Sequence, residues 1–213
     1  MKLIDIRGKL QKALANPHRF VQVIDESTLV LKEGKNKGNS GTLQKVIITD
    51  IPHNHEFKRF WLLDKLESRK IKGFSTADKT VEAFIVSYSA NAKRLTVYMI
   101  EMKSKMRNEA VEAVLGKFED SMSRFYLLFC LNSNHNIEEF KEATIHFKGL
   151  VFFNEDGTKR RKPDRRYDDI YKAFKRKKAL VFCETITERV KIPVKFILSE
   201  RKEQHTISFK DLK

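Results

Sequence analysis

The sequence predicts an α/β (α+β) fold, a mixed central β-sheet flanked by helices, and three observations carry that expectation. Two segments rich in β-branched and aromatic residues, Thr80 to Tyr88 and Leu95 to Lys103, are joined by a polar turn at Ser89 to Arg94. From Asn108 to Leu131 apolar residues then recur at intervals of three and four, the mark of a long helix. A third β-rich segment, Thr144 to Phe153, is apolar enough to lie inside a sheet. A helix of that length must cross over before its following strand can join, so the order implies a mixed sheet with helices packed on it.

In chain order, Leu3 to Ala15 carries Leu3, Ile6, Leu10 and Leu14 at amphipathic-helix spacing, and Asn16-Pro17 stops it. Phe20 to Ile24, Leu29 to Leu31 and Val46 to Ile48 read as short strands. Between them, Lys32 to Thr42 is rich in glycine and lysine, yet it lacks the Lys-Ser/Thr pair that a phosphate-binding loop needs after its second glycine, so it is a basic loop. His55 to Arg69 is expected to be a helix, with Phe57, Phe60, Trp61, Leu63 and Leu66 on a wide apolar face and Asp64 and Glu67 at its border. Lys70 to Phe74 is the segment left for a first core strand. After Thr144 to Phe153 comes the turn Asn154-Glu155-Asp156-Gly157, then a second hairpin, Leu180 to Thr185 with Val190 to Leu198, and a last strand at Thr206 to Phe209.

A chain of 213 residues with 41% hydrophobic content builds one core, and it reads as a single domain over 1–213. Residues 1–50 supply an N-terminal helix and strands, 51–155 the central unit, and 156–213 a basic segment and C-terminal hairpin. Lys and Arg exceed Asp and Glu by enough to give a formal charge of +15, which favours a polyanionic partner, nucleic acid first. No run of eighteen apolar residues occurs, and charges interrupt the N-terminus where a signal peptide would be apolar; the expectation is a cytoplasmic protein with no membrane partner. Cys130 and Cys183 stand far apart with no further ligand at zinc-site spacing, which favours buried free thiols. His53 and His55 have no third ligand nearby in sequence, which favours surface or capping roles.

The strongest basic feature is Lys159 to Lys178. Eleven of its residues are cationic: Lys159, Arg160, Arg161, Lys162, Arg165, Arg166, Lys172, Lys175, Arg176, Lys177 and Lys178. Tyr167, Tyr171 and Phe174, at spacings of four and three, suggest a helix anchored by one face, with the basic remainder facing phosphates.

The chemistry-bearing residues lie in the first hairpin. Glu82 begins one strand and Glu101 ends the other, so antiparallel pairing brings them close. Glu101 and Lys103 are two apart and project from one face. Carboxylates can hold a hard cation through oxygen, and an ammonium can position or deprotonate an attacking water. An edge cluster of cross-strand salt bridges uses the same residues and stays open as an alternative.

Ile100-Glu101-Met102-Lys103 at the end of an apolar strand, with Glu82 opposite, resembles the PD-(D/E)XK nuclease superfamily, whose fold is restriction-endonuclease-like. The order of helix, hairpin, helix and strand across Asp50 to Asn154 is similar to that family's core, here with extra N- and C-terminal strands. The resemblance implies a metal-dependent endonuclease acting on DNA ahead of RNA, with Mg2+ as cofactor and Mn2+ as substitute. Glu82, Glu101 and the Met102 carbonyl would bind the metal and Lys103 would serve the water; Asp64 or Glu67 would add a carboxylate. Glu82 stands where the family usually has Asp, and Asp78, in the turn before the strand, is its rival. Two-strand cleavage by such a site favours a homodimer. A catalytically inactive nucleic-acid-binding module of this fold, or a basic structural or ribosome-associated protein, are the competing readings.

Overall fold

The computed structural model describes residues 21–24, 26–32, 43–52, 60–64, 80–89, 94–132, 144–158, 172–184, 189–200 and 203–212. They form a mixed α/β structure with two sheets. The larger has seven strands in the order β1-β4-β5-β6-β7-β9-β8, and the smaller has three in the order β10-β3-β2. The larger sheet contains β1 (Val21–Val23), β4 (Phe60–Asp64), β5 (Ala83–Ser89), β6 (Arg94–Met106), β7 (Thr144–Asp156), β8 (Lys178–Glu184) and β9 (Arg189–Leu198). The smaller contains β2 (Leu29–Lys32), β3 (Lys45–Thr49) and β10 (Gln204–Ser208). One long helix, α1 (Asn108–Asn132), runs between β6 and β7.

The hairpin β5–β6 is antiparallel, with Ala83 opposite Ile100 and Ser89 opposite Arg94. Helix α1 then crosses over, and β7 pairs with β6 in parallel from Arg94↔Thr144 onward. Strand β9 continues in parallel beside β7, and β8 closes that edge as the antiparallel half of the C-terminal hairpin. The sheet is therefore mixed, as expected, with both hairpins antiparallel and β6, β7 and β9 in parallel.

Three expectations change. Within the expected helix His55 to Arg69, residues 60–64 are strand β4, paired with β5 on one side and β1 on the other. Phe-Trp-Leu-Leu is a short apolar run whose periodicity suits helix or strand, and ladder hydrogen bonds on both edges decide for the strand. Strand β4 thereby takes the place beside β5 expected of Lys70 to Phe74, which lies outside the described residues. Lys178 begins β8 rather than closing a basic helix. The N-terminal helix, most of the Lys32 to Thr42 loop, and His53 and His55 also lie outside the described residues, as do the side chains of Cys130 and Cys183.

Alternation along β6 gives the large sheet two buried faces. Leu95, Val97 and Met99 join a core with Val114, Phe118, Met122 and Phe125 of α1. Tyr98, Ile100 and Met102 join the opposite core with Val46 and Ile48 of β3, and with Phe209 and Leu212 of the 3-10 turn Phe209–Leu212. A continuous apolar run such as this suits a strand covered on both sides. The helix lies close to the sheet because β7 has a glycine beneath it. A Cβ at Gly149 would come within 2.8 Å of a Val194 methyl and 3.1 Å of the Phe118 ring. Gly149→Ala is therefore expected to destabilise the fold by about 1–3 kcal/mol through overpacking, read as a lower urea midpoint with an unchanged slope.

Candidate functional site

Glu101 has the same parity on β6 as Leu95, Val97 and Met99, which puts its carboxylate on the face that α1 covers. It is fully buried. Lys103 follows on that face, and its ammonium lies 2.6 Å from Glu101 Oε1. The helix supplies a second cation that the apolar periodicity does not announce: Lys117 Nζ also lies 2.6 Å from Oε1, and its side chain is only 14% exposed. Both ammonium groups share one carboxylate oxygen. The other, Oε2, is buried and has no hydrogen-bond partner among the described residues.

Glu82 precedes β5 by one residue, and its backbone N–H donates to the Ile100 carbonyl at 2.9 Å. This register places it across from Glu101, and its charge is felt by both lysines. The segment leading to it is pinned by α1, since the Val81 N–H donates to the buried Ser121 hydroxyl at 2.9 Å. Lys117 and Ser121 are four apart and so share a helix face. One turn thus reaches Glu101 and the next reaches the residue before Glu82.

Four charges converge here, two negative and two positive, and the lysines respond differently. For Lys103, burial works to lower the pKa, but the charge and hydrogen bond of Glu101, aided by Glu82, outweigh it and hold the ammonium above its ordinary value. For Lys117, burial dominates; Glu101 offsets only part of it, the like charge of Lys103 adds to it, and the net direction is down.

A hard divalent cation needs oxygen ligands. The buried Oε2 of Glu101 fits one, and Glu82 stands across from Glu101 in the hairpin register. Met102 packs its side chain into the opposite core, so the main-chain carbonyl is all it can offer this face. Asp64 ends β4 opposite Ala83, one residue from Glu82 along β5, rather than on a helix. Glu67 and Asp78 lie outside the described residues. Among the described residues no group of three or more His, Cys, Asp or Glu side chains converges as a metal cage, so a cation here would also rely on main-chain oxygen or water.

Of the four charged residues Glu82, Glu101, Lys103 and Lys117, only Lys103 reaches a cleft, at the carboxyl ends of β6 and β7, and neither Glu82 nor Glu101 lines it. A cleft of about 480 Å³ lined by Lys103, Ser104, Lys105, Arg107 and Glu109 adjoins one of about 650 Å³ lined by Lys105, Asn108, Glu155 and Asp156. Crevices outside strand carboxyl ends are the usual ligand position in open α/β sheets. The basic segment reaches this rim, because Lys175 pairs with Asp156. Residues 172–175 are helical, and Phe174 is buried against Phe153 and Phe196 at centroid distances of 5.4 and 5.1 Å. Lys172, Lys175, Arg176, Lys177 and Lys178 are exposed around that anchor. Lys159 to Arg166 lie outside the described residues.

Set against protein-family models, curated proteins and solved structures, the chain has no match. Among the described residues no helix is long and apolar enough to cross a membrane.

Proposed function

We propose that this protein is a magnesium-dependent phosphodiesterase acting on nucleic acid, DNA ahead of RNA, with a site of the PD-(D/E)XK kind. The observation that carries this reading is the buried Glu101 carboxylate, with Lys103 on one oxygen, no described hydrogen-bond partner on the other, and Glu82 across the hairpin. The succession of hairpin β5–β6, crossover helix and parallel β7 agrees with the later part of the order the resemblance implies, whereas strand β4 stands where its first helix was expected.

Glu82, Glu101 and the Met102 carbonyl would hold Mg2+, or Mn2+ in its place. When bound, such a cation supplies Lewis-acid stabilisation of the phosphate and a more acidic water. Glu101 fixes Lys103 at the mouth of the cleft, where its ammonium can orient a water or meet a phosphate oxygen. The exposed cations from Lys172 to Lys178, with Lys159 to Arg166 before them, would hold the backbone of the substrate. Cleavage of both strands of a duplex would call for two chains, hence a homodimer.

A second reading has its own observation. Two ammonium groups already neutralise Glu101, as in a nucleic-acid-binding module of this fold that has lost its chemistry. Incubation with plasmid DNA and with RNA, in Mg2+ or Mn2+ and then in chelator, separates the two. Cleavage that needs the cation and is lost in Glu101→Ala and Lys103→Ala supports the enzyme; no cleavage leaves the binding module, and cleavage that survives both changes overturns this mechanism. For the basic segment, charge reversal at Arg160, Arg161, Arg165 and Arg166 is expected to weaken binding. The slope of log K against log salt should flatten by about 0.9 for each phosphate that the variant no longer neutralises. An unchanged slope would place the binding surface elsewhere.

A further inference from the structure

We propose that Lys117 is a positioning residue of the site, which clamps Glu101 Oε1 from the helix side and leaves the buried, unpartnered Oε2 as the oxygen of that carboxylate that would take a cation. This rests on the metal reading above and adds to it a stoichiometry and a named residue. Lys103 and Lys117 come from different elements and meet the same oxygen, each at 2.6 Å. A carboxylate held from a strand and from a helix cannot turn about its last bond without losing one of them. A second cation bridging through Oε1 would have to displace both ammonium groups, so the site takes one divalent ion per chain.

Lys117 is fixed well enough to act this way. Its neighbour Phe118 rests over Gly149, which sets the height of the helix, and Ser121 one turn on ties the helix to the segment before Glu82. The clamp and the two carboxylates therefore belong to one packed unit. A purely structural lysine and a positioning lysine part company when the charge is removed. Loss of a structural lysine would loosen the site, and cation affinity and cleavage would fall together. Loss of an ammonium that touches a ligand carboxylate removes repulsion from the cation, while the carboxylate loses its fixed orientation.

The test is a Mn2+ titration of the full chain, followed by the electron paramagnetic resonance signal of free Mn2+, with circular dichroism to check folding. Wild type is expected to bind one Mn2+. Lys117→Met should bind it about tenfold more tightly, because one of two cationic competitors is gone. Cleavage should nevertheless slow by about a hundredfold, the scale of a small misplacement at a reacting centre. Lys117→Gln reads the same effect if Lys117→Met does not fold, and Lys117→Arg, which keeps the charge, should restore wild-type affinity. Two Mn2+ bound by wild type, or affinity unchanged or weaker in both neutral variants, would overturn the role of Lys117 while leaving a metal site standing. No Mn2+ bound by wild type or any variant would overturn the metal reading and this inference with it.

Discussion

Glu101→Gln is expected to reduce Mg2+-dependent cleavage by about a thousandfold or more, the rate equivalent of roughly 4 kcal/mol of transition-state stabilisation. Glutamine has nearly the shape of glutamate but removes the counter-charge of Lys103 and Lys117, so the loss is read as charge once circular dichroism shows the variant folded. The charge matters at both oxygens. At Oε1 it holds Lys103 and Lys117, and at Oε2 it is the buried ligand position that the proposed cation needs. An amide offers one acceptor oxygen and a donor nitrogen, so it cannot serve both. The measurement is single-turnover cleavage of a labelled duplex at saturating protein, which removes weaker substrate binding from the result. Cleavage retained within a few-fold of wild type would mean that Glu101 is not part of the chemistry.

Part of this site is legible in the sequence because strands obey a strict alternation. Glu101 and Lys103 stand two apart at the end of an apolar run, and Glu82 stands at the matching end of its neighbour; once the hairpin is drawn, their proximity follows. Lys117 is not legible in the same way. Read for its core, the helix yields Val114, Phe118, Met122 and Phe125, and the polar residues among them pass as solvated. In the structure Lys117, Ser121 and Arg124 form a stripe at i, i+4 and i+7 that turns inward, with Ser121 and Arg124 buried. The signal the sequence does hold is a lysine flanked at helical spacing by Val114 and Phe118. A helix that covers a sheet face bearing a carboxylate has reason to carry a cation there.

The fold divides along a similar line. The order of hairpin, crossover helix and strand is written in local periodicity and in the length of connections, and that part of the expected order is found. Strand β4 reads as helix because four consecutive apolar residues carry no period, and its identity comes from neighbours on both edges. The strands of the second sheet are legible one by one, but their pairing has no local signature: β10 pairs in parallel with β3, far apart in sequence. That pairing covers the far face of β6, where Tyr98 meets Phe209 edge-on at 5.3 Å. It therefore fixes which face of the strand is left for the helix and the carboxylate.

The ion cluster beneath α1 also makes a prediction about stability that bears on why it exists. Glu101→Leu alone is expected to destabilise the protein by roughly 3–5 kcal/mol, the range for breaking a buried pair by removing one partner, because Lys117 is left as a nearly buried ammonium beside Lys103. Lys117→Met alone should cost less, about 1–3 kcal/mol, since Glu101 keeps Lys103. The double variant Glu101→Leu with Lys117→Met should recover to within about 1 kcal/mol of wild type or exceed it, because well-packed apolar groups replace charges whose desolvation the pairing only partly offsets. Lys103, with its side chain 30% exposed, can turn to water, and Glu82 remains as a counter-charge. Urea midpoints at constant slope for the four proteins give the comparison. Recovery in the double variant, together with loss of cation binding, would mean that the cluster is not needed to hold the helix on the sheet. Its charges would then be explained by what they do to a ligand, since a core of leucine and methionine would fold as well. A double variant less stable than either single one would instead make Glu101 and Lys117 a stabilising element of the core, and the case for a functional site would lose its main support.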